Sequence, residues 1–215
     1  MRQALFAAIA LLLLTSVVQA AAADRNPTVL ILGDSLSAGY GMSEQESWVS
    51  LLRDRLAARG YGYEVVNASL SGDTTGGGLS RLPRALALHR PAIVIIELGG
   101  NDGLRGTPIK VVRGNLAKMI ELSREAGAEV ILAGMQIPTN YGSRYTQAFS
   151  AVYPGLARQY RVELIEFFLA RVALDMSLIQ ADGIHPTAEA QPLLLDNVWP
   201  VLEKKLRKLP KTAAR

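Results

Sequence analysis

An α/β domain built on a doubly wound, five-stranded parallel sheet is what this chain predicts, on three observations. Short apolar runs alternate with longer stretches whose apolar residues recur at helical spacing, the pattern of repeated strand–helix units. The short runs are rich in Val, Ile and Leu. Ile93-Val94-Ile95-Ile96 in particular lacks the polar alternation of a one-sided sheet, so burial on both faces is implied. Clusters of Gly, Ser, Asp and Asn follow several runs on their C-terminal side, where an open sheet of this kind binds its ligands.

The first segment stands apart from the domain. Arg2 precedes an apolar run from Ala4 to Leu14, and small residues follow from Ala20 to Ala23. This reads as a cleaved secretory signal over residues 1–23. Its apolar run falls short of the roughly 20 residues that cross a bilayer. Export to a periplasm, or release beyond it, is expected, with a single domain over residues 24–215.

Strands are expected near Val29–Leu32, Glu64–Asn67, Ile93–Leu98, Val130–Gly134 and Val162–Glu166. Each is a short apolar run bounded by polar residues, glycine or proline. Helices are expected at Trp48–Arg59, Leu79–Leu88, Ile109–Ala126 and Tyr145–Tyr160, with Ala188–Leu206 closing the chain. Right-handed crossovers through these helices keep successive strands parallel. Gly76-Gly77-Gly78 is the most flexible-looking stretch and lies within the candidate site rather than between domains.

The chain has no cysteine, which removes disulfides, thiolate metal sites and a cysteine nucleophile. Its two histidines lie far apart in sequence, so no metal site is expected and no cofactor is called for. The formal charge of +4 is modest. Much of the excess lies at the C-terminal end, in Lys204, Lys205, Arg207, Lys208, Lys211 and Arg215. A solvated helix end explains it; weak contact with an anionic lipid surface is the functional alternative. Basic and aromatic residues do not interleave as they would for nucleic acid. A monomer acting on a small molecule is expected.

Gly33-Asp34-Ser35-Leu36-Ser37 places a hydroxyl at the carboxyl end of the first strand. A serine is a poor nucleophile at neutral pH and needs a base, and the base needs an orienting partner. Asp182-Gly183-Ile184-His185-Pro186 supplies both on one turn: the i, i+3 spacing lets the carboxylate accept the Nδ1 hydrogen while Nε2 faces the serine. A triad of Ser35, His185 and Asp182 is the leading reading. His89, near a helix end in Leu88-His89-Arg90-Pro91, is accounted for by capping.

Acyl transfer also needs donors aimed at the oxygen that becomes negative. Gly72, after the second strand, offers a backbone N–H; Asn101, after the third, offers a side-chain amide; Ser35 offers its own N–H. Taken singly, Gly72 reads equally well as a turn glycine and Asn101 as a loop cap. Asp34 and Asp102 are read as loop organisers.

Gly33-Asp34-Ser35-Leu36, Gly72, Gly99-x-Asn101-Asp102 and Asp182-x-x-His185 resemble, in order and placement, the four blocks of the SGNH (GDSL-type) hydrolases. The likeness covers essentially the whole mature chain, and the stretches Leu32–Tyr40, Leu98–Gly106 and Asp182–Pro186 resemble more closely the small periplasmic esterases that act as acyl-CoA thioesterase, lysophospholipase and arylesterase. The resemblance implies a flavodoxin-like three-layer α/β/α sandwich, Ser35 as nucleophile, His185 as base oriented by Asp182, and an oxyanion hole of Ser35 N–H, Gly72 N–H and the Asn101 side chain. It implies esters and thioesters of acyl chains as substrates, with no cofactor.

An acyl groove is expected along Ile137, Pro138, Asn140 and Tyr141 after the fourth strand, extended by Pro108 and Ile109 after the third. Ordinary loop packing would use the same residues. Competing functions are a carbohydrate O-acetyl esterase, a non-catalytic lipid-binding relative, and a phosphate-binding module at Gly72–Gly78. The last lacks both the Gly-Lys-Ser/Thr ending of a P-loop and a dinucleotide fingerprint.

Overall fold

The computed structural model describes residues 26–207. The expected signal segment, and Lys208, Lys211 and Arg215 of the basic end, lie outside that range. The predicted sheet is observed, with all five strands parallel in the order β2-β1-β3-β4-β5. Its strands are β1 (Thr28–Gly33), β2 (Glu64–Asn67), β3 (Ile93–Glu97), β4 (Glu129–Ala133) and β5 (Glu163–Ile165). Every residue of β1 and β3 is buried, as the apolar runs Val29–Leu32 and Ile93–Ile96 require, and the burial extends to Glu97 at the end of β3.

The helices are α1 (Ser35–Ala38), α2 (Trp48–Ala58), α3 (Thr75–His89), α4 (Gly100–Leu104), α5 (Ile109–Glu125), α6 (Ser143–Ser150), α7 (Val152–Tyr160) and α8 (Gln191–Leu202). Helix α2 packs on α8, whereas α3 packs on α5 and α5 on α7. Their buried Leu, Ile and Val side chains join those of the strands in one core. Burying each such side chain fully is worth about 1.5–3 kcal/mol.

The chain leaves β1 toward β2 on one side and reaches β3 on the other, so the strand order reverses beside β1. Such a reversal opens a crevice at the carboxyl ends of the two strands that flank it. Ser35 follows β1 and Asn101 follows β3, and Gly33 and Glu97 are register partners at those ends.

Three expectations are corrected. The glycine run Gly76–Gly78 is the first turn of α3, which starts at Thr75 behind an N-cap in which Thr74 accepts from Gly77 N–H. A Cβ at Gly78 would strike Leu98, so that glycine serves close helix–sheet packing rather than flexibility. The predicted helix Tyr145–Tyr160 is two helices that break at Ala151, because Pro154 has no N–H to give the Ser150 carbonyl. The closing helix proper is Gln191–Leu202, and a 3-10 turn at Ala188–Ala190 leads into it.

Candidate active site

Ser35 opens α1, a single helical turn directly after β1, and is only 8% exposed. Asp34 caps the turn by accepting the Leu36 N–H at 3.0 Å, and Gly39 closes it at φ 77°, a left-handed conformation that suits glycine. The turn rests on a buried polar platform. Ser37 donates to Glu97 Oε2 at 2.5 Å and accepts from Trp48 Nε1 at 3.2 Å, while the Asp34 N–H points to the same Glu97 oxygen at 3.4 Å. A Cβ on Gly33 would lie 2.6 Å from Glu97 Oε2, so only glycine lets the strand end pass over this carboxyl. From the second strand, Asn67 donates to the Ser37 carbonyl at 2.8 Å.

Burial pushes the Glu97 carboxyl well above the usual range, and neighbouring Asp34 adds to the shift; Glu97 Oε1 has no partner among the described residues. Burial also raises Asp34, to about 6, against the lowering hydrogen bonds from Leu36 N–H and the Asn101 amide.

His185 and Asp182 lie on the loop before α8. Asp182 Oδ1 accepts the Ile184 and His185 N–H groups at 2.9 and 3.0 Å, which curls the segment into a turn and leaves Oδ2 free to meet His185 Nδ1 at 2.6 Å. The His185 N–H, the imidazole and the Ile184 N–H together lower the Asp182 carboxyl to about 2. On the other side of the ring, Nε2 lies 2.9 Å from Ser35 Oγ. The carboxylate, imidazole and hydroxyl thus form one continuous hydrogen-bonded chain, with the spacing that general-base catalysis needs.

Asn101, in the first turn of α4, donates from Nδ2 to Asp34 Oδ2 at 3.1 Å, which leaves its second amide hydrogen for the crevice it lines. Gly72 sits at φ 77° in a turn closed by the Asp73 N–H to the Leu70 carbonyl. Nothing lies within 4 Å of a Cβ built there, so the backbone conformation, rather than space, calls for glycine. Its carbonyl accepts from Arg105, and its N–H has no backbone partner among the described residues. Asp102 is turned away and accepts both the N–H and the hydroxyl of Thr75 at 2.7 Å. His89 closes α3 at the end opposite Thr75 and does not line the cavity beside Ser35.

A cavity of about 550 Å³ runs from Ser35, Asn101 and His185. Of the expected groove residues, Ile137 and Pro138 line it. Pro108 instead caps α5, and Ile109 and Tyr141 border a separate open depression of about 520 Å³ beside Tyr145. Asn140 projects from an exposed 3-10 turn and borders neither. The Tyr145 hydroxyl donates to the Thr107 carbonyl at 2.7 Å and draws the segment before α5 toward α6. The opposite wall, Phe167, Leu169, Leu174, Met176 and Ile179, was not foreseen; Leu174 is 99% exposed at the rim. That segment follows the fifth strand, and its apolar content was the one available cue.

Among the described residues no cluster of three or more metal-ligating side chains converges, and no helix is long and apolar enough to cross a membrane.

Residues 31–192 match the GDSL-like lipase/acylhydrolase family. The chain belongs to that family. It is 53% identical to the esterase TesA of Pseudomonas aeruginosa over 91% of this chain and 94% of that one. It is 48% identical to the thioesterase 1/protease 1/lysophospholipase L1 of Escherichia coli over 83% of each chain. Among solved structures, it overlays on the psychrotrophic esterase EstA of a Pseudoalteromonas species, inhibited by monoethylphosphonate. That overlay has a TM-score of 0.80 at 41% identity and covers 83% of this chain and 98% of that one. The resemblance drawn from the four sequence blocks holds, and this member of the family is an ester hydrolase with a three-layer α/β/α fold.

Proposed function

We propose that this protein hydrolyses esters and thioesters of acyl chains through an acyl-Ser35 intermediate. The observation that carries the reading is the unbroken Asp182–His185–Ser35 hydrogen-bonded chain at the mouth of an apolar cavity. Ser35 Oγ attacks the carbonyl carbon as its proton passes to His185 Nε2. The Ser35 and Gly72 N–H groups and Asn101 Nδ2 receive the oxyanion. As the intermediate collapses, His185 gives its proton to the departing alkoxide or thiolate. Water then attacks the acyl-enzyme, its proton goes to His185, and the free acid leaves with Ser35 restored.

Asp182 acts by holding the imidazole with Nδ1 protonated, so that Nε2 is the nitrogen that accepts the serine proton. The proton carriers and the oxyanion donors all come from the chain's own residues. The cavity wall of Leu104, Ile137, Phe167 and Ile179 favours medium or long acyl chains over small polar acyl groups. The sequence of residues 1–23 supports export to the periplasm, and residues 24–215 are read as one domain acting as a monomer.

The test is a series of p-nitrophenyl esters from acetate to palmitate. kcat/KM should rise with chain length to an optimum beyond butyrate. A preference for acetylated sugars over every fatty ester would reject the acyl-groove reading.

A further inference from the structure

The reactive hydroxyl and imidazole are 150 residues apart in sequence, and the His185 loop lies outside the sheet, so something must set its distance from Ser35. One side chain bridges the two segments. Gln180 Nε2 donates to the Tyr40 carbonyl at 2.9 Å and to the Pro186 carbonyl at 2.8 Å. Its backbone N–H donates to the His185 carbonyl at 2.7 Å, and its own carbonyl accepts from Gly183 N–H at 2.9 Å. Tyr40 in turn donates its N–H to the Ser35 carbonyl at 3.2 Å. The Tyr40 ring lies against the His185 imidazole, with centroids 4.3 Å apart and planes at 33°. Gly41 lies at φ 75°, and a Cβ there would meet the Gln180 carboxamide, so the local backbone is shaped to admit it.

From Ser35 the contacts pass through Tyr40 and Gln180 to His185 and return through the Ser35–His185 hydrogen bond, a closed circuit. We propose that Gln180 and Tyr40 are positioning residues for the hydrolysis. The Gln180 amide straps the base-bearing loop to the segment that leaves the nucleophile turn, and the Tyr40 ring stops the imidazole from swinging off Ser35. Neither residue is needed to bind an acyl chain. The inference rests on the reading of His185 as the base.

The test uses the whole mature protein with a p-nitrophenyl ester, and active sites are counted by stoichiometric phosphonate labelling. Gln180→Leu keeps the size and removes both donations; per labelled site, kcat should fall about 10- to 100-fold, since a small misplacement of a reacting group costs on that order. KM should stay within about threefold, because the strap does not touch the acyl chain, and the phosphonylation rate should fall in parallel with kcat. Tyr40→Ala should lower kcat about 2- to 10-fold, the worth of one ring contact, and Tyr40→Phe should restore it. Wild-type kcat per labelled site in Gln180→Leu would overturn the proposal. So would a loss accounted for wholly by fewer labelled sites, which would make the strap a matter of stability alone. His185→Ala, run beside them, separates the two readings: full activity there would reject the base assignment itself.

Discussion

The two halves of the site are built in opposite ways. The nucleophile turn lies over the core, and side chains from β2, β3 and α2 hold it: Asn67, Glu97 and Trp48, the last two fully buried. The base-bearing loop lies at the surface, with Asp182 exposed, and most of its hydrogen bonds are to itself. The position of Ser35 is therefore a consequence of packing the sheet. That of His185 is a consequence of one Asx-type turn and a few contacts to the segment after α1. On the proposed roles, this ties the nucleophile to global stability and leaves the base open to local adjustment.

Substitutions that separate chemistry from scaffold sharpen this contrast. Ser35→Ala should lower kcat by about 10⁴–10⁶ with the melting temperature nearly unchanged, as measured by ester hydrolysis and thermal denaturation. Asp182→Asn should cost about 10⁴, because the amide favours the wrong imidazole tautomer. At neutral pH it should also lower stability somewhat, because the folded state holds the Asp182 carboxyl at about 2 and the amide cannot supply that contribution. Asn101→Ala should cost about 10²–10³ in kcat with a smaller change in KM, the signature of a donor that acts on the developing oxyanion. Glu97→Leu strikes the other half: it leaves the Ser37 hydroxyl and Asp34 N–H without their acceptor inside the core. It should lower stability by about 1–3 kcal/mol in urea denaturation. If Glu97→Leu were as stable as the parent, the nucleophile turn would not depend on the buried platform.

The pH dependence of stability should differ in sign between the two halves. Asp34 is raised to about 6, so the folded state holds a proton there that the unfolded chain releases near 3.8. Its contribution therefore falls as pH rises from about 4 to about 6. Asp182 is lowered to about 2, so its contribution is full above 3.8 and is lost as pH falls toward 2. Urea midpoints measured across this range should show Asp34→Asn flattening the decline between about pH 4 and 6, and Asp182→Asn flattening the loss below 4. These are the smallest of the expected effects.

The sequence made the fold legible wherever burial leaves a compositional trace. Val29–Leu32 and Ile93–Ile96 are apolar because both sheet faces are covered, and the proposed triad and oxyanion residues stand out in the sequence because acyl-transfer chemistry restricts residue type, at the ends of β1 and β3 for Ser35 and Asn101 and on one turn before α8 for Asp182 and His185. What escaped depends on direction. Nothing in the sequence near Pro108 and Ile109 says that Tyr145 turns its hydroxyl to Thr107 and draws that segment toward α6, and nothing in the apolar residues after β5 says that Phe167–Ile179 turn toward Ser35. Glu97 reads as the polar end of an apolar strand, and only the approach of Gly33 and Ser37 reveals it as a buried anchor. Gly78 shows the same limit, since a glycine that serves close packing against Leu98 looks in sequence the same as one that serves freedom.

On the proposed mechanism, His185 activates the Ser35 hydroxyl beside an acyl-sized cavity. Reaction with a p-nitrophenyl alkylphosphonate, followed by peptide mass spectrometry, tests it most directly. One phosphonyl group per chain should appear on Ser35, and it should form at least 10³-fold more slowly in His185→Ala, in the range by which loss of a triad base slows such chemistry. A label on another residue would remove Ser35 as the nucleophile, and equal rates in the two proteins would remove His185 as its base.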